Sequence, residues 1–130
     1  EDSDLKMGIS HTFNSLTNNT FMVMQDGIYN IDYDFDVEDT SAGASDIDTA
    51  ARLILINGTE IPGSIFETDI TRQGTEVELS HDFLMEALAG QQFTLQFIAT
   101  DEDVQISTHG TFGVSPESAT VVMFKIANLP

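Results

Sequence analysis

The chain has 130 residues, 41% of them hydrophobic, and carries 22 acidic against four basic side chains for a formal net charge of −18. That size suits one packed core, and that charge excludes phosphate backbones and anionic membrane surfaces as partners. With no cysteine, a disulfide framework and thiolate chemistry are excluded as well.

No apolar run approaches the ~18 residues that span a bilayer, and the first ten residues lack the basic-then-apolar pattern of a signal peptide. A soluble domain is expected, with no nucleic-acid partner and no membrane insertion. Residues 1–11, opening on EDSDLK, read as the end of a linker or an N-terminal extension, and 12–130 as the folded domain.

In chain order, HTFNSLTNN gives way to the apolar TFMVM, and Asp26-Gly27 then makes a tight-turn pair. IYNIDYDFDV follows, in which Ile31, Tyr33, Phe35 and Val37 alternate with Asp32, Asp34, Asp36 and Glu38. A period of two puts all the apolar residues on one face of a strand and all the acids on the other. Residues 39–49 are small and polar and read as a long loop. ARLILING, EIPGSIFE, TEVELSHDF, QQFTLQFIAT, DVQISTHG and SATVVMFKIAN read as further strands separated by Gly, Pro, Asn or Asp. Within HDFLMEALAG the spacing of Phe83, Leu84, Ala87 and Leu88 predicts a turn or two of helix.

Short strands at regular spacing without strand–helix alternation predict an all-β sandwich or barrel. The last strand, residues 119–127, is apolar on both parities, with Val121 and Met123 on one and Val122, Phe124 and Ile126 on the other. Both of its faces are therefore expected to be covered. One face packs the core, and a second chain is the economical cover for the other.

DGIYNIDYDF resembles the Gly-x-Tyr-x-apolar strand of the tumour necrosis factor and complement C-one-q jelly rolls. Downstream, RLILINGTEIPGS resembles their strand with its asparagine-glycine turn, LMEALAGQQFTLQF their Gly-Asp-x-apolar strand, and SATVVMFKI their final strand. Within that superfamily the sequence is most similar to the C-terminal domain of BclA-type collagen-like glycoproteins of bacterial spore coats, on TFMVMQDGIYNI, LINGTEIPGS and SATVVMFKIA. The resemblance covers residues 12–127, and departs from the pattern at Gly90-Gln91, where Gly-Asp is usual, and in the acidic insertion at 38–49.

The resemblance implies a ten-strand jelly-roll sandwich of two antiparallel sheets that forms a homotrimer. It also implies a head domain on a preceding collagen-like or fibrous stalk, located outside the cell on a spore (exosporium) or cell surface. Its partners would be its own copies and that stalk. On this reading Val121, Met123, Lys125 and Tyr33 are the expected trimer interface. The alternative is a trimeric adhesin or lectin-like module for a glycan or host-surface ligand, or a head of the tail-fibre or capsid kind.

Asp32, Asp34 and Asp36 pose a separate question, because residues two apart on one strand face lie about 6.5–7 Å from each other and Asp is a poor strand former. The row reads either as a face that meets solvent or pairs with Arg52 or Lys125, or as part of a calcium site, since calcium takes hard oxygen ligands in flexible geometry. The acidic groups Glu38, Asp39, Asp46 and Asp48, and Asp101, Glu102 and Asp103, read as solvated rims, without the order of a helical calcium loop.

His11, His81 and His109 have no ligand spacing among them; His81 could pair with Asp82 at a turn, and an isolated histidine is by default structural or exposed. Asn18-Asn19-Thr20 and Asn57-Gly58-Thr59 match the glycosylation pattern but read as turns, Asn57-Gly58 as a tight hairpin. Phe13, Phe21, Tyr29, Phe35, Phe93, Phe97 and Phe124 fall at strand parity and are expected in the core. No Gly-x-Ser-x-Gly elbow and no phosphate loop occurs, and with no Trp and two Tyr the aromatic platforms for sugar hydrolysis are thin. No enzymatic activity and no cofactor other than calcium is expected.

Overall fold

The computed structural model describes residues 9–14, 18–41, 46–108, 111–113 and 117–130. Its nine strands among these residues are β1 (Ile9–Asn14), β2 (Asn18–Val23), β3 (Gly27–Asp39), β4 (Ile47–Leu55), β5 (Phe66–Ile70), β6 (Glu76–Ala87), β7 (Gln92–Ala99), β8 (Val104–Ile106) and β9 (Ala119–Ala127). One sheet runs β1-β2-β7-β4-β5; the other runs β6-β3-β8, with β9 also paired to β3. All pairings are antiparallel, and the two sheets make an all-β sandwich.

The core follows from the alternation in β3. Tyr29 and Ile31 meet Ile9, Val23, Leu53 and Phe93 of the five-stranded sheet at one end. Tyr33, Phe35 and Val37 meet Ile47, Ala51 and Ile70 at the other. Tyr33 crosses the sandwich, with its hydroxyl 2.8 Å from the Ala51 carbonyl oxygen and 2.7 Å from that of Ser64. Burial pushes its pKa up from 10.0 to about 12.

Four expectations change. Residues 81–87 are strand, not helix, because β6 pairs with β3 from Gly27 to Glu38 without interruption. Its buried Leu79, Met85 and Ala87 keep the period of two against that long neighbour, so tertiary pairing overrides the helix propensity of LMEAL.

EIPGSIFE is mostly turn: only an isolated Ile54↔Glu60 bridge precedes β5. Pro62 has no N–H to give a ladder, Gly63 takes φ 80°, and the buried Ser64 hydroxyl accepts the Leu53 N–H at 3.0 Å. The loop expected over 39–49 is shorter at both ends, since Asp39 closes β3 and Ile47 opens β4. At the N-terminal side β1 begins at Ile9, inside the expected 1–11 extension, because Ile9 is buried opposite Val23.

The Asn57-Gly58 turn is as expected. Gly58 takes φ 85° and the Asn57 side-chain oxygen accepts the Thr59 N–H at 3.0 Å.

Candidate interaction face

The outer face of the sheet built on β3 changes character along its length. At one end Asn30 lies between Leu84 of β6 and Phe124 of β9. Next along, Asp32 lies between Asp82 and Val122, then Asp34 between Ser80 and Thr120. Beyond these, Asp36 faces Glu78, and Glu38 lies between Glu76 and Gln105 of β8. An apolar end thus merges into a ladder of carboxylates.

The apolar end is open to water: Leu84 is 60% exposed, Val122 53%, Phe124 42% and Ile126 48%. Among the described residues β9 pairs with β3 alone, which leaves its other side as an edge; the exposed side chains along it are uncharged, and its one charged residue, Lys125, is half-buried on the inward parity. The outer edges β5 and β6 instead carry Glu67 and Asp69, and Glu76, Glu78, Asp82 and Glu86. Charge on an edge strand is one way folded proteins discourage strand addition, and on β9 it is supplied by Lys125 alone, on the inward parity.

The acidic end brings Asp34, Asp36 and Glu78 together, with one carboxylate oxygen from each lying within 4.8 Å of the others. Burial raises the Asp34 carboxyl above its ordinary value, and the neighbouring Glu78, hydrogen-bonded to it, raises it further, with smaller contributions from Asp36 and Asp32. Like charges stand directly opposite at Asp32↔Asp82, Asp36↔Glu78 and Glu38↔Glu76, an arrangement that destabilises a sheet. Glu38 has partial relief from the Ser107 hydroxyl, which donates to it at 2.9 Å.

Of the expected calcium ligands, Asp34 and Asp36 therefore converge, whereas Asp32 faces Asp82 one step away, and Glu78 from the next strand takes its place. The sequence marks Glu78 only as one acid among many, because the pairing that brings it to Asp36 joins residues 42 positions apart. The expected basic partners are elsewhere. Arg52 donates to Glu60 and Gln96 on the other sheet, and Lys125 lies opposite Tyr29 on the inward parity of β9.

The four residues expected at a trimer interface lie on the inward side of their sheet. Tyr33 is 1% exposed and buried in its own chain. Val121 and Met123 are half-buried and pack onto the two halves of the core, and Lys125 lies beside Gly27, where an added Cβ would come within 2.5 Å of its side chain. Parity decides this: Val121, Met123 and Lys125 stand opposite Tyr33, Ile31 and Tyr29, all inward residues. The uncovered set is Val122, Phe124 and Ile126, so Phe124 is not a core residue.

His81 does not pair with Asp82, since neighbours on a strand point to opposite faces. Its ring stacks between Phe66 and Phe83 at 5.7 and 5.4 Å, and its Nε2 lies 2.8 Å from the Gly63 carbonyl oxygen. Asp39, expected on a solvated rim, is fully buried; one carboxylate oxygen accepts the Ser41 N–H at 2.8 Å and the other makes no hydrogen bond. His109 and the side chains of His11, Phe13, Asn18 and Asn19 lie outside the described residues. No family model matches this sequence, and no curated protein matches it.

Proposed function

We propose that this chain is the non-enzymatic head domain of a fibrous or collagen-like surface protein, a jelly roll that gathers its own copies into a homotrimer. The head sets the chains of a preceding stalk in register and presents an acidic surface outward, at a spore or cell exterior. One observation carries the reading: the exposed row of Val122, Phe124 and Ile126 on β9, an edge strand among the described residues, with Leu84 on the same sheet face. Each square ångström of such surface removed from water contributes about 25 cal/mol, and contiguous apolar patches of this kind mark contact sites. Joining three chains at one end raises their effective concentration at the other, which favours winding of a stalk. The likeness of DGIYNIDYDF and SATVVMFKI to the tumour necrosis factor and complement C-one-q strands supports the threefold assembly.

Phe124→Asp tests it, because Phe124 is 42% exposed and its replacement leaves the core intact. Light scattering is expected to report three chain masses for the parent and one for the variant, with the strand signal in circular dichroism retained. A variant that keeps the parent's mass removes β9 as the contact.

A second reading is favoured by the convergence of Asp34, Asp36 and Glu78. Here the same head is an adhesin or lectin-like module stabilised by calcium, with carboxylates supplying some of the six to eight oxygens the ion takes. Calcium given at matched ionic strength raises the melting temperature on this reading and leaves it unchanged on the first.

A further inference from the structure

This inference rests on the reading of the β9 face as a contact between copies, and it concerns what governs that contact. The apolar row and the carboxylate ladder belong to one surface, Val122 lying beside Asp32 and Thr120 beside Asp34 in adjacent strands. A stable contact buries about 800 Å² on each partner, more than a few apolar side chains provide. A copy seated on β9 therefore reaches into the ladder, and it brings its own ladder with it.

The chain has little to offset this. Of its four basic residues, Arg52 is engaged with Glu60 on the opposite sheet, Lys125 lies on the inward parity, and Arg72 lies in the turn between β5 and β6. Lys6 lies outside the described residues. Facing the Asp34–Asp36 pair are Glu78 and Ser80 from β6 and Thr120 from β9, with Asp32 and Glu38 on β3 itself. The apolar row pulls copies together over contact distances only, whereas the ladder repels over a Debye length, about 30 Å at 0.01 M salt, 8 Å at 0.15 M and 3 Å at 1 M.

We infer that assembly through this face is gated by ionic strength: the carboxylate ladder beside β9 holds copies apart in dilute salt and lets the apolar row close once its charge is screened. The device is local. At about 0.15 M salt only charges within about 8 Å of the contact still act, so the ladder governs assembly there while acids on the other sheet do not. In dilute salt every acid contributes, and the position of a removed charge matters less.

The test measures the association constant by sedimentation equilibrium across that salt range for the parent chain and two charge-matched variants. Asp34→Asn with Glu78→Gln removes two carboxylates from the ladder. Asp48→Asn with Asp69→Asn removes two from a facing acid pair on the other sheet. For the parent, association is expected to rise by about a hundredfold or more between dilute and 1 M salt, a range two screened unit charges can produce. At about 0.15 M the ladder variant associates at least about tenfold more tightly than the parent, and the opposite-sheet variant tracks the parent. Salt-independent association overturns the gate, and so does an equal gain in both variants, which makes net charge the only cause. A chain that stays monomeric in every salt and in all three forms overturns the contact between copies itself, and with it the proposed assembly.

Discussion

Tyr33 ties the two sheets together by a polar contact. Its hydroxyl has one proton and two carbonyl oxygens within reach, those of Ala51 on β4 and Ser64 in the following turn. Tyr33→Phe keeps the ring and removes the one donor the two carbonyls share, which costs about 1–3 kcal/mol when a buried acceptor loses its partner. Urea unfolding is expected to show a lower midpoint with an unchanged slope; a midpoint equal to the parent's means that the hydroxyl carries no stability. The raised pKa adds a dependence on pH. Since the folded value of about 12 lies above the free value of 10.0, the folded state holds this proton more tightly, and stability is lost as pH rises from the free value towards the folded one. The variant lacks that alkaline loss. The inward aim of Tyr33 is written in the alternation Ile31, Tyr33, Phe35, Val37. What local pattern does not carry is whether the apolar face of a strand is covered by its own chain or by a copy, and for that reason Tyr33 reads in sequence as an interface residue.

β6 shows how a neighbour settles an element. Its LMEAL segment has helix formers at helical spacing, and a period of 3.6 and a period of two are hard to separate over so few residues. The β3 strand beside it decides, because thirteen residues of extended backbone need partners along their whole length. The same pairing sets Glu78 against Asp36 and beside Asp34, where the charges repel. Glu78→Lys turns a like-charge cross-strand pair into an opposite one, worth roughly 0.2–1 kcal/mol for each such pair relative to a neutral one. A melting temperature that rises by a few degrees is expected, measured on the Phe124→Asp background so that assembly does not contribute; a fall would mean that the three carboxylates are held together by something other than protein side chains. β9 gives the complementary lesson. Its two apolar parities are plain in the sequence, but only the register against Tyr33, Ile31 and Tyr29 shows that Val121 and Met123 face in and Val122 and Phe124 face out.

At the scale of the whole molecule the dominant quantity is charge. A net −18 spread over one small sandwich sets the folded state against its own field, and the acids also meet directly, at three pairs between β3 and β6 and at Asp48↔Asp69 between β4 and β5. At Asp69 the hydrogen bond shared with Asp48 holds one carboxyl above its usual range. Unfolding separates these charges, so screening is worth more to the folded chain than to the unfolded one, and melting temperature must rise with ionic strength. Sodium chloride supplies screening alone. Calcium at the same ionic strength supplies screening and, where carboxylates converge, binding to the folded state, which stabilises it by RT ln(1 + [L]/Kd). In the monomeric Phe124→Asp chain, where folding is separated from assembly, a higher melting temperature in calcium than in matched sodium chloride is expected if the ladder binds the ion. Removing Asp34 and Glu78 then abolishes the excess, while removing Asp48 and Asp69 leaves it. Equal melting in the two salts assigns the ladder to electrostatic control of assembly alone, because an ion that does not stabilise the folded chain has no preferential site on it.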